Sequence, residues 1–175
     1  VLDNVAFALK MRGIDRAVRH KRAGELLELV AMSPYAARLP AQEIVVLRAY
    51  AKYLRQTGST FSQEYIESAL LANCGVTSDL VTLFEERFDP DRYGGEAASA
   101  ARTTAAEGLV QKVKEALDDV ASLDQDRIVR SYLTLITSTL RTSFFQRDMG
   151  RPKSYVAFKL DPQARWHDGR PLTTA

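Results

Sequence analysis

The residues that could do acid–base or nucleophilic chemistry are few in this sequence and lie far apart. The two histidines are His20 and His167, and the single cysteine is Cys74. His20 lies in the basic run Arg19–Arg22, which is typical of the solvated face of a helix rather than of a catalytic base. His167 is followed by Asp168, but adjacent residues rarely face one another, so a surface turn is favoured over a catalytic dyad.

Cys74 and two acidic pairs are the other candidates for chemistry. Cys74 precedes a glycine at the predicted end of a helix, and we expect an inert thiol there. A single cysteine also excludes a disulfide framework and a cysteine-rich metal site. The pairs Glu85-Glu86 and Asp118-Asp119 could serve as general acids and bases, but on exposed helix faces such neighbours are ordinarily solvated charge. The sequence therefore predicts no catalytic residue and no metal-binding residue.

Nucleotide-binding motifs do not occur in the sequence. A phosphate-binding loop needs G-x-x-x-x-G-K-[ST], because backbone amides wrap the phosphates while the lysine neutralises them, and no such string is present. Gly94-Gly95 lies in a loop with no strand before it, which indicates a turn rather than a dinucleotide fingerprint. Phe144, Phe145 and Trp166 lack the basic strand of a base-stacking surface and are expected to be buried anchors. We predict no cofactor-binding residue.

Length and charge limit the class of protein. The 175 residues fit one domain of ordinary size, and 46% apolar with 26% charged residues is enough for a packed core. With 24 basic and 22 acidic side chains, the net charge of +2 is too balanced to imply a nucleic-acid or membrane-surface partner. No apolar run approaches the roughly 18 residues of a membrane span. These features favour a soluble protein in a reducing, cytoplasmic setting.

The basic excess lies at the N-terminus. Residues 1–42 carry seven basic and four acidic side chains, with Arg16, Arg19 and Arg22 close together. An anionic partner would explain this cluster, but the solvated half of an amphipathic helix is the favoured interpretation.

Apolar residues repeat with the helical period along most of the sequence, so helices are the elements that would position these residues. The spacing of apolar residues predicts about six helices in an irregular antiparallel array, a mainly α fold with one short C-terminal strand. Thr60 and Gln63 have capping-box spacing for the third helix, Thr77 or Ser78 could cap the fourth, and Ser122 with Gln125 opens the last. Three of the predicted helices run from about Asp15 to Met32, Glu43 to Gln56 and Leu123 to Phe145, and the other three carry the apolar residues of 65–70, 81–88 and 109–120.

The last of these helices and the strand carry the clearest patterns. Ile128, Tyr132, Leu135, Ile136 and Thr139 form one apolar face of the helix. After Gly150 and Pro152 the period changes to alternation, and residues 156–160 are predicted to form the strand. A lone strand is unstable, and the sequence offers no evident partner for it.

The middle of the chain, from about Glu43 to Pro162, closely resembles the large bacterial NAD-specific glutamate dehydrogenases. The matching strings are EIVVLRAYAKYLRQ (43–56), FSQEYIE (61–67), LFEERFDP (83–90), LRTSFFQ (140–146) and KLDP (159–162). The resemblance implies a helical stretch that precedes the catalytic part. The lysine-bearing glutamate site and the NAD-binding domain of that family would lie further along and are not expected in this chain.

The two ends resemble other proteins. DNVAFALKMRG (3–13) and YAARLPAQ (35–42) resemble the ATPase subunit of sugar or polyamine ABC importers, within the helical subdomain that precedes the signature motif. The nucleotide-binding motifs of that subunit are not matched, so ATP binding is not implied. LDPQARWHDGRPLT (160–173) resembles the extracellular peptide- and nickel-binding proteins of such importers.

These likenesses predict a composite chain of three pieces, residues 1–42, 43–160 and 161–175. The leading hypothesis for function is a non-catalytic helical segment similar to part of an NAD-dependent glutamate dehydrogenase, which converts glutamate to 2-oxoglutarate. The alternatives are an ABC-transporter-associated interaction module and a composite chain with no selected activity. The expected partner is the remainder of a dehydrogenase chain or a second copy, with no nucleic acid and no cofactor in this chain.

Overall fold

Residues 41–93 and 97–172 are described by the computed structural model, so the predicted helix over 15–32 lies outside the described residues. The prediction of a mainly α fold is confirmed. The helices are α1 (Ala41–Gln56), α2 (Gln63–Ala72), α3 (Cys74–Phe88), α4 (Ala97–Leu117) and α5 (Leu123–Ser138). The strands are β1 (Thr139–Thr142), β2 (Arg147–Asp148), β3 (Arg151–Pro152) and β4 (Phe158–Leu160). In the described ranges, no helix is long and apolar enough to cross a bilayer.

Helix α5 is the centre of the core. Its predicted apolar face is confirmed, because Ile128, Tyr132, Leu135, Ile136 and Thr139 are all buried. It contacts α1, α2, α3 and α4, while α3 and α4 pack along one another. The position of α5 follows from its sequence, since apolar side chains repeat along it with the helical period.

The N-cap of α2 and the start of α3 differ from the predicted ones. Ser62, not Thr60, caps α2, and its Oγ accepts the backbone N–H of Tyr65 at 3.1 Å. Helix α3 begins at Cys74 rather than at Thr77 or Ser78. Thr77 is buried inside α3, where its hydroxyl donates to the carbonyl of Leu70 at 2.8 Å. Only Asn73 separates the two helices. The Thr77 hydroxyl therefore reaches a carbonyl in the last turn of α2, which has no partner within its own helix.

Helix α5 ends at Ser138, seven residues before the predicted end at Phe145, so α4 with 21 residues is the longest helix described. The Thr139 hydroxyl donates to the Leu135 carbonyl at 2.7 Å. The Arg87 guanidinium donates to the carbonyls of Thr137 and Thr139 at 3.0 and 3.1 Å. These donors occupy carbonyls at the end of the helix, and the chain continues as β1.

Strand β1 supplies the partner that the predicted strand needs. It pairs antiparallel with β4, with Thr139 opposite Leu160 and Thr142 opposite Phe158. Between them, β2 and β3 form a small hairpin whose two turn residues, Met149 and Gly150, have φ of 47° and 78°. Positive φ at both turn positions matches the right-handed twist of paired strands, and glycine adopts it readily.

The C-terminal tail packs against the same core as the helices. Trp166 is 6% exposed and Leu172 is 1% exposed. The backbone N–H of Leu172 donates to the carbonyl of Ala164 at 2.9 Å, and the hydroxyl of Tyr53 in α1 donates to the carbonyl of Leu172 at 3.2 Å. Trp166 is therefore a buried anchor, as predicted. The boundary between residues 160 and 161 stays a prediction.

Candidate functional site

The structure places His167 on the surface, in accord with the surface-turn interpretation. Its neighbour Asp168 turns towards Arg170, which donates its backbone N–H at 3.1 Å and its side-chain Nε at 2.8 Å. These two hydrogen bonds lower the pKa of Asp168, the backbone one most. The carboxylate that would orient a catalytic histidine is thus engaged by an arginine.

Cys74 does not lie where the sequence predicted. It is the first residue of α3 and is half-buried, whereas we expected it at the end of a preceding helix. The reason is the close junction of α2 and α3, which removes the predicted turn. Across residues 41–93 and 97–172, no group of three or more histidine, cysteine, aspartate or glutamate side chains could hold a metal ion.

One member of an acidic pair is buried rather than solvated. Glu86 is 7% exposed, and its carboxylate accepts hydrogen bonds from Arg92 and Tyr93. Glu85 pairs with Arg92 at 2.7 Å. The interpretation as solvated charge is wrong for Glu86, because the loop after α3 folds back over the helix end. The other pair, Asp118-Asp119, is exposed as expected.

Glu43 in the first turn of α1 lies within the influence of this acidic cluster. Partial burial, and to a smaller extent the negative charge of Glu85, raises the pKa of Glu43 to about 7. The Glu43 carboxyl group is thus partly protonated near neutral pH. Within the described part of the chain no metal-holding cluster includes it, and a shifted pKa alone does not make an active site.

Buried Tyr50 and Thr139 meet the half-buried Arg87 in a polar junction. The Tyr50 hydroxyl lies 2.8 Å from Thr139 Oγ1. Because the single hydroxyl proton of Thr139 goes to the carbonyl of Leu135, Tyr50 must be the donor in this bond. Arg87 completes the junction through the two carbonyls at the end of α5. The junction therefore joins α1, α3, α5 and β1.

Burial controls the ionisation of these groups. It raises the pKa of Tyr50 above its ordinary range, although Thr139 and the positive charge of Arg87 oppose the rise. Burial also lowers the pKa of Arg87, with Tyr50 opposing. The raised pKa keeps the Tyr50 hydroxyl neutral near neutral pH, where it is a hydrogen-bond donor to Thr139. This arrangement fixes elements in place and does not support acid–base catalysis.

Aromatic side chains surround the junction. The Tyr50 ring stacks on Phe158 of β4, with centroids 4.5 Å apart and an interplanar angle of 18°. Phe84 of α3 meets the Phe144 and Phe145 rings at 5.5 and 6.0 Å. The Phe144 and Phe145 side chains are half-buried and pack against the core, so the prediction that they are buried anchors holds in part. The sequence had indicated Thr139 only as a member of an apolar face, and nothing in the pattern marked Tyr50 or Arg87 as its partners.

Comparison with known families assigns the two sides of this junction to two different family models. Residues 35–90 match the family model described as glutamate dehydrogenase, helical motif 3. Residues 112–173 match that described as bacterial NAD-glutamate dehydrogenase, catalytic domain. The second match corrects the expectation that all of residues 43–162 precedes the catalytic part. It also includes most of the tail, whose likeness to solute-binding proteins stays a prediction.

Individual relatives agree with these matches. The chain is 43% identical over 127 residues to the NAD-specific glutamate dehydrogenase of Halomonas elongata, covering 72% of this chain and 7% of that protein. It is 43% identical over 136 residues to the enzyme of the same name from Pseudomonas aeruginosa, covering 73% and 8%. The chain thus spans less than a tenth of the length of these relatives.

A second, shorter likeness is to a transporter ATPase. The chain is 52% identical over 42 residues to the methionine import ATP-binding protein MetN of Thermobifida fusca, covering 24% of this chain and 13% of that protein. This supports part of the predicted resemblance to ABC importers.

Proposed function

Because two regions of the chain match models of glutamate dehydrogenases, we propose that it is a structural segment of an NAD-specific glutamate dehydrogenase. In this proposal it fixes helical motif 3 against the part of the catalytic domain that residues 112–173 match. The supporting observation is the buried junction: Tyr50 and Arg87 lie in the first matched region and Thr139 in the second. The Tyr132 hydroxyl adds a bond across the same boundary, to the carbonyl of Leu47 at 3.0 Å.

A chimeric enzyme tests this role. Residues 43–162 would replace the aligned region of the Pseudomonas aeruginosa dehydrogenase, and NAD reduction with glutamate would be followed by absorbance. We expect the chimera to keep activity, and the double change Arg87→Met with Thr139→Val to abolish it. Arg141→Met, which removes an exposed arginine of β1, is the matched control and should have little effect. Full activity of the double variant would contradict the proposal.

In this proposal the partner is the remainder of a dehydrogenase chain, and NAD binds outside the residues described here. The purified 175-residue chain should then give no saturable heat of binding with NAD by titration calorimetry. It should also show no glutamate-dependent NAD reduction above a blank. Turnover above the blank would refute the non-catalytic role.

The transporter likeness supports a second candidate function, the docking of the basic N-terminal region on an importer membrane subunit. A pull-down against such subunits, with Arg16, Arg19 and Arg22 changed to glutamate, would test it. Binding lost on the triple change would support docking, and binding insensitive to it would argue against docking.

A further inference from the structure

A basic groove of about 700 Å³ lies between α1 and the segment that leads into β4. One wall is α1, and the opposite wall is formed by residues 153–160. Two of the apolar side chains that line it, Val45 and Tyr155, are 44% and 59% exposed. The groove is lined by Val45, Arg48, Ala49, Tyr50, Lys52, Tyr53, Gln56, Lys153, Ser154, Tyr155, Val156, Phe158 and Leu160.

The charges of this basic groove are of one sign. Arg48, Lys52 and Lys153 line it, and none of the lining residues is acidic. Lys153 contacts neutral groups, the side-chain oxygen of Gln146 at 2.8 Å and the Tyr155 hydroxyl at 3.4 Å. Over residues 41–93 and 97–172, neither Arg48 nor Lys52 forms an ion pair, whereas Arg92, Lys112 and Arg130 each do.

The spacing of the cations fits an extended chain. Arg48 and Lys52 are one helical turn apart on α1, which places them about 6 Å apart along the helix axis. Alternate side chains of an extended strand are about 6.6 Å apart and point to the same side. Acidic residues at alternate positions could therefore face both cations, while apolar residues between them face Val156 and Leu160.

From this geometry we propose that the basic groove binds an extended polypeptide segment in which acidic and apolar residues alternate. A single small anion would leave the apolar walls of the groove unfilled. The near-neutral charge of the whole chain disfavours a nucleic acid. Residues 1–42 of this chain carry a net charge of +3, so they have the wrong sign to be the occupant. The proposal is independent of the dehydrogenase role.

Fluorescence anisotropy with labelled peptides tests the proposal on the full 175-residue chain. The probe is a peptide of six alternating Glu and Val residues, and the comparison peptides replace Val by Ser or Glu by Lys. We expect the Arg48→Glu/Lys52→Glu double variant to bind the probe about tenfold more weakly, because two exposed charge pairs become repulsive. The double variant Arg127→Glu/Lys114→Glu makes the same charge change at exposed positions elsewhere and should bind as the parent does.

Each outcome decides the question. Weaker binding of the Ser peptide, no binding of the Lys peptide and loss in the groove variant alone would support the proposal. Equal loss in both variants, or no binding by the parent chain at low salt, would overturn it. Full competition by millimolar inorganic phosphate would assign the groove to small anions, and tighter binding of single-stranded oligothymidine would assign it to nucleic acid. Thermal melting followed by circular dichroism confirms that both variants are folded.

Discussion

At the scale of single residues, substitution of Thr139 tests the junction, because its hydroxyl donates to Leu135 and accepts from Tyr50. Thr139→Val would leave the buried Tyr50 hydroxyl without an acceptor, at a cost of about 1–3 kcal/mol in the free energy of unfolding. Tyr50→Phe removes the donor instead, while Thr139 still bonds to Leu135, so we expect a smaller loss of about 1 kcal/mol. Urea unfolding of both variants measures the difference.

Tyr65→Phe is the matched control for this pair, because Tyr65 is 38% exposed. Its free energy of unfolding should change by less than about 0.5 kcal/mol. If Thr139→Val were milder than Tyr50→Phe, the buried Tyr50 hydroxyl would not depend on Thr139 for its hydrogen-bond partner, and this account of the junction would be wrong.

Glu43 makes stability depend on pH. Its pKa rises from 4.5 to about 7 on folding, so between these values the folded state holds more protons than the unfolded state. Stability should therefore fall as pH rises from about 4.5 to 7, by about 1 kcal/mol because solvent screens a partly exposed group. Glu43→Gln should flatten this slope in urea unfolding at several pH values. Glu64→Gln, an exposed first-turn change in α2, should leave it unchanged, and parallel curves for Glu43→Gln and the parent would contradict the assignment.

At the scale of elements, the N-cap of α2 is Ser62 in the structure, whereas the sequence pattern predicted Thr60, and two substitutions distinguish the two residues. Ser62→Ala removes the acceptor for the Tyr65 N–H and should destabilise the protein by about 1 kcal/mol. Thr60→Ala alters the predicted cap, whose side chain is exposed, and should be nearly neutral. Thermal unfolding of the two variants compares them directly. A larger loss of stability for Thr60→Ala than for Ser62→Ala would support Thr60 as the cap instead.

The existence of the helices could be predicted, but several ends could not. Apolar spacing identified α1 and α5 because their buried faces repeat with the helical period. The end of α5 depends on Arg87, which is about 50 residues distant in sequence, and on pairing of β1 with β4 across an intervening hairpin. Both are tertiary contacts, and a local pattern contains no information about them.

At the scale of the whole molecule, the same distinction applies to the candidate site. The sequence correctly favoured a surface position for His167, because its acidic neighbour Asp168 is adjacent in sequence and adjacent side chains rarely face one another. They did not identify the junction, because Tyr50 and Thr139 are 89 residues apart and each is an ordinary member of an apolar stripe. The burial of Glu86 was missed for a similar reason, since it depends on how the loop bearing Arg92 folds back.

At the scale of the whole molecule, we predict that the tail, described over residues 161–172, resists proteolysis because it is packed on the core. If residues 161–175 were an unrelated piece, trypsin should cut rapidly after Lys159 and Arg165. The burial of Trp166 and Leu172 instead predicts slow cutting at both sites, because cleavage requires the tail to leave the core. Trp166→Ala should cost about 3–5 kcal/mol and accelerate these cuts at least tenfold. His167→Ala, an exposed neighbour, should not, and mass spectrometry of the fragments follows both variants. Rapid cleavage of the parent chain at Lys159 would instead place a domain boundary there.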